Sequence, residues 1–133
     1  MGATVVFVCP HGAGKSRIAA AWFGTCAPPG WAATTAGVRP QPLPSAHAPR
    51  LLAGTAALAF LDPQPPRPLS AVPDAELVVA IDCPSGAVPT AVVWSLEHHE
   101  FDAAMVAELR ARVRELVGPL DDAPPGAEGV HDG

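Results

Sequence analysis

A chain of 133 residues with a formal net charge of −5 is the size of one domain and can bury a core without staples. An acidic balance with scattered arginines excludes the basic surface that nucleic acid requires. No apolar run is long enough to span a bilayer and no charged segment leads into an apolar stretch at the start, so membrane, anchor and signal peptide are all unexpected and a cytoplasmic location follows.

Three cysteines, Cys9, Cys26 and Cys83, are too few and too dispersed for a disulfide scaffold, and no Cys/His spacing suggests zinc, so neither metal nor cofactor is expected. Seventeen prolines and twelve glycines imply many loops, concentrated at 27–49, 62–73 and 119–128. The hydrophobic share of 49% rests largely on alanine and overstates the core.

Residues 4 to 23 organise the chain. An apolar β-branched run, TVVFV, meets a glycine-containing turn and then an alanine-rich helical pattern, giving strand, turn and helix. The turn reads Cys9, Pro10, His11, Gly12, Ala13, Gly14, Lys15, Ser16, with Arg17 next. Glycines at 12 and 14 let successive N–H groups face inward, and a helix starting near Ser16 aims its partial positive end at the same point. His11, Gly12, Ala13, Gly14, Lys15, Ser16 and Arg17 are therefore the expected oxyanion-binding residues. Lys15 is the sole lysine of the chain, standing among eight Lys and Arg residues.

Two chemistries fit such a loop. Gly14, Lys15 and Ser16 match the end of a Walker A motif, and Leu77 to Ile81 ending in Asp82 would supply its acidic strand; Cys9 stands where that motif wants its first glycine. Alternatively Cys9 is the point of the loop: a thiol at a strand end, ringed by N–H donors beside a cation and a helix start, is the setting that favours a nucleophilic thiolate.

On these residues the chain resembles the low-molecular-weight protein tyrosine phosphatase and arsenate reductase family, whose loop reads Cys-x-Gly-Asn-x-Cys-Arg-Ser after the same kind of strand. Cys9 matches the nucleophile and Ser16 the serine that hydrogen-bonds it. Lys15 replaces the arginine of Cys-(x)5-Arg, His11 and Gly12 replace Gly-Asn, and Gly14 replaces the second loop cysteine. Thr35, Ala36, Gly37 and Val38 stand where the family carries Ser-Ala-Gly-Thr, and Arg67-Pro68-Leu69 resembles a family Arg-Pro-Leu segment.

Further along, Ser16 to Cys26 has Ile18, Ala19, Trp22 and Phe23 at helical spacing, with Cys26 read as a small buried hydrophobe. Trp31 to Val38 reads as a second strand, and 39–44 as a proline-rich loop. Ser45 is the expected cap of a helix through Leu61, with His47 on its solvated first turn. Asp62 to Leu69 reads as an extended connector. Ala75 to Ile81 is a buried parallel strand with Asp82 and Cys83 at its carboxyl end, and Thr90 to Trp94 is a fourth strand. Phe101 to Val117 is the last helix, stopped by Gly118-Pro119.

The element order predicts an α/β fold, a three-layer α/β/α sandwich on a four-stranded, mostly parallel sheet, with a phosphatase-like domain over 1–118 and a disordered tail over 119–133.

In the resembling family an Asp after a Trp-x-aliphatic segment protonates the leaving group. Aligning on Trp94 and Leu96 puts His98 and His99 there, so His98 is the expected acid, with Glu97 and Glu100 as neighbouring substitutes. Arsenate reductases of this fold pass their adduct to a second cysteine after the equivalent strand, which makes Cys83 the candidate resolving thiol, opposed to the reading of a buried spectator. The chain has no tyrosine, so Trp94 or a neighbour would have to stack on an aromatic substrate.

The expected catalytic set is Cys9, Lys15, Ser16 and His98. The expected ligands are phosphate, arsenate or a phosphomonoester, with a thiol reductant in the reductase case. Phosphomonoester hydrolysis through a Cys9 thiophosphate leads. Thiol-dependent arsenate reduction, a degenerate oxyanion-binding module and a small Walker A nucleotide protein remain the alternatives.

Overall fold

A computed structural model describes residues 2–89, 91–97 and 100–122. Strand β1, Ala3–Cys9, lies central in a four-stranded parallel sheet of order β2-β1-β3-β4, with β2 at Trp31–Gly37, β3 at Leu77–Ile81 and β4 at Val92–Trp94. Parallel pairing demands crossovers, and the helices α1 (Lys15–Cys26), α2 (His47–Leu52) and α3 (Ala103–Asp122) occur where the chain returns to the start of a strand or closes the sheet. The expected α/β architecture on a parallel four-stranded sheet is borne out.

The alternation of β1 sorts the core. Val5, Phe7 and Cys9 face the layer of helices, packing with Ile18 and Phe23 of α1, Leu52 of α2, and Met105, Leu109 and Val113 of α3. Val6 and Val8 face the other way, against Ala36, Ala80 and Val88. The layer on that second face is thin, drawn from Leu69, Val72 and other residues of the segments flanking β3, where a 3-10 turn covers Leu69–Ala71. A strand buried on both faces reads as a continuous apolar run, which is why VVFV carries no polar alternation.

Two helix boundaries differ from expectation. The helix expected from Ser45 to Leu61 breaks in two: α2 ends at Leu52, and a 3-10 turn runs Ala56–Phe60. Between them Gly54 takes φ 79°, a left-handed turn that closes the first helix and that its side-chain-free backbone adopts without strain. The N-cap is Ala46 rather than the expected Ser45, whose Oγ accepts from the His47 N–H at 3.1 Å one residue ahead of the cap. The expected stop at Gly118-Pro119 is overturned, since α3 runs on to Asp122 with Pro119 inside it. Pro119 lacks one backbone donor and crowds the carbonyl four residues before it, yet the helix continues through it to Asp122. Residues 123–133 of the expected tail lie outside the described residues, as do Thr90 of the expected fourth strand and both His98 and His99.

Cys26 is exposed rather than buried, its thiol donating to the Trp22 carbonyl at 3.4 Å. No helix among the described residues is long and apolar enough to cross a membrane, and no group of metal-ligating side chains occurs among them. Since Leu109 is fully buried in the core on the helical side of the sheet, Leu109→Ala should cost about 2–5 kcal/mol in urea unfolding, with the slope of the transition unchanged.

Candidate functional site

The carboxyl ends of β1 and β3 open onto a cleft of about 480 Å³, walled on one side by Cys9 and the loop that follows it, and on the other by Gln41, Ser45, His47 and Phe101. This is the edge at which parallel α/β sheets collect ligands, because the strands stop there and the next helices start there.

The loop is held by its carbonyls. Val38 N–H donates to the Cys9 carbonyl at 3.2 Å, Arg39 to Pro10 at 2.8 Å, Gln41 to His11 at 3.2 Å and Ser45 to Ala13 at 2.9 Å, while Ile18 in α1 donates to Gly14 at 3.0 Å. The Gly12 carbonyl accepts from Arg17 Nε at 2.8 Å. The proline-rich segment 39–44 is thus a strap: prolines at 40, 42 and 44 keep it extended and have no donor, and Arg39, Gln41 and Ser45 give theirs to the loop.

A trans peptide sets each carbonyl opposite the next N–H, and none of the peptide bonds is cis. Carbonyls drawn outward at 10, 12, 13 and 14 therefore turn the N–H groups of His11, Ala13, Gly14 and Lys15, all of which line the cleft, the other way. Lys15 also begins α1, so the partial positive end of a twelve-residue helix lies at the same point.

Gly12 and Gly37 make this possible by contact. Gly12 has φ 64°, and a Cβ on it would come within 2.8 Å of the Gly37 nitrogen; one on Gly37 would lie 2.6 Å from the Gly12 nitrogen. The loop and the end of β2 are thus packed backbone to backbone, which explains the glycine within Thr35 to Val38. Gly12 is backed against β2 and does not line the cleft, although the sequence placed it among the oxyanion-binding residues.

Cys9 is 5% exposed at the cleft floor, and its Sγ lies 3.0 Å from the Oγ of the fully buried Ser16. That thiol–hydroxyl pair is reversible: a hydroxyl that accepts from a thiol can donate to a thiolate. Lys15 makes an ion pair with Asp82 Oδ2 across the cleft wall. Asp82 is fixed by its other oxygen, which accepts from the Leu96 N–H at 2.6 Å, and by its own N–H, which donates to the Trp94 carbonyl at 3.0 Å. At φ 55° it is the one non-glycine residue with positive φ among the described residues, a conformation Asp tolerates better than most and one that tends to mark functional edges.

The Arg17 side chain turns away from the cleft and lies behind the loop. It is 1% exposed, with Nε on Gly12 O, Nη1 on Asp62 O at 2.6 Å, and Nη2 buried with no partner among the described residues. Burial pulls its pKa below the usual arginine value, and the Asp62 carboxylate opposes that pull. Burial pushes Asp62 up, but the Gln64 N–H and Arg67 outweigh it and hold the carboxyl below the usual range. Arg67 pairs with Asp62 Oδ2 at 2.8 Å and donates to Thr34 Oγ1 at 2.7 Å, so the connector 62–69 is tied to β2 rather than loose.

Cys83 lies outside the cleft. It packs with the Val6 and Val8 side of β1, whereas Cys9 packs on the helical side, and its thiol donates to the Val8 carbonyl at 3.4 Å. Burial pushes its pKa up to about 11, with the neighbouring Cys9 adding to the rise. Trp94, offered as an aromatic wall, is core: it is 7% exposed with its ring 5.8 Å from Phe7. The ring at the cleft is Phe101, which meets His47 edge-on at 6.3 Å. His47 is solvated, as its helical position implied, and lines the cleft as well.

Sequence reasoning missed Asp82 as a partner of Lys15, and it missed the strap. The signal for the first was an acid at a strand's carboxyl end; for the second it was proline at every other position.

No protein-family model matches the chain, and no curated protein matches it. Solved structures do. An arsenate reductase of Archaeoglobus fulgidus is 27% identical, with 86% of this chain and 98% of that one covered and a TM-score of 0.64. A thioredoxin-dependent arsenate reductase of Corynebacterium glutamicum is 23% identical over 86% of this chain, TM-score 0.68, and the chain spans 60% of that longer protein. A low-molecular-weight protein tyrosine phosphatase of Bacillus subtilis is 19% identical over 90% of this chain and 98% of that one, TM-score 0.67. The resemblance carried by the Cys9 loop is borne out in the fold, and the proteins that share it are enzymes.

With Cys83 raised in the folded state, the folded protein keeps a proton that the unfolded chain sheds. This contribution to stability is whole below the ordinary thiol value of 9.0 and is lost as pH rises toward about 11. Denaturation midpoints of wild type and Cys83→Ala across that window should converge as pH rises, the wild type falling more steeply.

Proposed function

We propose that this chain, which shares the fold of low-molecular-weight protein tyrosine phosphatases and of arsenate reductases, binds phosphate-like oxyanions in the Cys9 loop and hydrolyses phosphomonoesters through a Cys9 thiophosphate. The observation that carries the reading is the set of outward-bonded loop carbonyls, which leaves amides, a helix end and a thiol converging on one cleft.

In this mechanism the Cys9 thiolate attacks phosphorus, an S–P bond forms and the P–O bond to the leaving group breaks. The amides of His11, Ala13, Gly14 and Lys15, with the Lys15 ammonium, take the charge that grows on the equatorial oxygens. Ser16 donates its hydroxyl proton's hydrogen bond to sulfur whenever sulfur is the anion. The leaving oxygen takes a proton from an acid; His98, two residues after Leu96 and three before Phe101 in the sequence, is the proposed donor. The same group then takes a proton from the water that cleaves S–P, releasing inorganic phosphate and the thiolate.

Lys15 is the weak member. A guanidinium grips two oxygens in fixed geometry, whereas an ammonium is a point charge on a flexible stem, here shared with Asp82. Slow turnover follows, since one well-placed donor is worth on the order of 3 kcal/mol in the barrier, roughly a hundredfold in rate.

Arsenate reduction relayed to Cys83 is disfavoured by its place on the far face of β1 and by its raised pKa, which keeps it a thiol at neutral pH. No observation favours a nucleotide.

Purified protein should hydrolyse p-nitrophenyl phosphate slowly; Cys9→Ser should abolish it, and Lys15→Arg should raise it roughly tenfold or more. Equal turnover by wild type and Cys9→Ser would remove thiol catalysis from the account.

A further inference from the structure

The carbonyls of the Cys9 loop are not all held in the same way. Those of Cys9, Pro10, His11, Ala13 and Gly14 accept from backbone donors of the strap, of the residues after β2 or of α1, which no substitution other than proline removes. The Gly12 carbonyl is held by a side chain, Arg17 Nε. Its peptide is also one that turns easily. A peptide flip changes ψ of the residue before and φ of the residue after, and a glycine before it accepts either orientation at little cost. Gly12 already sits at φ 64°, so sterics on its side do little to choose.

We propose that Arg17 is a positioning residue that fixes the Gly12–Ala13 peptide with its carbonyl outward and its Ala13 N–H in the anion cleft. The inference rests on the reading of that cleft as an oxyanion site. Arg17 does not touch the ligand.

The residue is built for the task. Its guanidinium reaches two carbonyls from separate parts of the chain, Gly12 in the loop and Asp62 in the connector, so it is a strut between them. Asp62 is in turn anchored through Arg67 to Thr34 on β2. A lysine in this position would carry the charge but meet only one carbonyl with favourable geometry, because its donors leave a single atom. The charge has a second effect: a buried cation behind the loop interacts electrostatically with Cys9, and burial leaves that interaction weakly screened. With the Lys15 ammonium paired to Asp82, part of the positive potential that an anion meets at the cleft comes from behind it.

The test uses wild type, Arg17→Lys and Arg17→Met, with inorganic phosphate as probe, and reads phosphate affinity by calorimetry beside unfolding in phosphate-free buffer. Loss of one hydrogen bond to the anion corresponds to about a ten- to hundredfold weaker affinity. Arg17→Met is expected to show that loss, and Arg17→Lys a smaller one, with kcat for p-nitrophenyl phosphate falling more than KM rises. A purely structural role would lower the phosphate-free unfolding midpoint and leave the affinity of the folded fraction unchanged, which overturns the proposal. Wild type that binds no phosphate defeats the site reading itself, a different failure.

Should both variants fail to fold, ¹H–¹⁵N spectra of wild type decide. The Arg17 Nε–H signal should exchange slowly and shift with the Ala13 amide as phosphate is added. An Nε–H that exchanges freely and ignores phosphate overturns the proposal.

Discussion

The structure depends on which way a few peptide planes face. Six consecutive carbonyls, from Cys9 to Gly14, are held by donors on a strap, after β2, on α1 and on one arginine, and planarity of the peptide then turns the amides of His11, Ala13, Gly14 and Lys15 toward the cleft. An unpaired buried carbonyl is costly, so each of these bonds also fixes the loop against collapse. The rest of the fold supplies the donors. Strand β2 brings Gly37 close enough to touch Gly12, the alternating prolines keep 39–44 extended, and α1 starts where the loop stops.

Charge is distributed less simply than the loop sequence suggests. The cation inside the loop, Lys15, is matched by Asp82, which is itself locked by Leu96 and Trp94 at the ends of β3 and β4. The cation just after the loop, Arg17, is buried behind it. In the proposed function, attraction for an anion rests on oriented amides and a helix end, whose dipoles are fixed in place by the fold and need no reorganisation on binding, with two side-chain charges in supporting positions. This arrangement suits an oxyanion site whose chemistry is slower than that of an enzyme with a bidentate guanidinium at the same point.

Much of this was legible in the sequence. The run TVVFVCPHGAGKS announced strand, loop and helix, because β-branched residues, glycines and an alanine-rich pattern change period within a few residues, and the parallel order of the sheet followed from the alternation of elements. Less legible were features that depend on where a chain returns. Residues 39–44 read as a loop because proline was taken as a breaker, while its effect is to space the free donors that hold the site. Residue type alone predicts a buried Cys26, yet it ends α1 at the surface. The lack of tyrosine leaves Trp94 or a neighbour as the aromatic to stack on a substrate; burial against Phe7 uses up the Trp94 ring, and Phe101 from the next segment stands at the cleft instead. Gly118-Pro119 reads as a stop, yet α3 continues through it to Asp122.

The central claim is that Cys9 sits at the floor of an anion site, and the chain carries its own control for testing it. Cys26 is exposed and far from the cleft lining, so the rates at which iodoacetamide modifies Cys9 and Cys26, followed by peptide mass mapping, can be compared with and without inorganic phosphate. The account predicts that phosphate slows modification of Cys9 in a saturable way and leaves Cys26 unchanged. If phosphate leaves both rates alone, or slows both equally, no anion lodges over Cys9 and the account is contradicted.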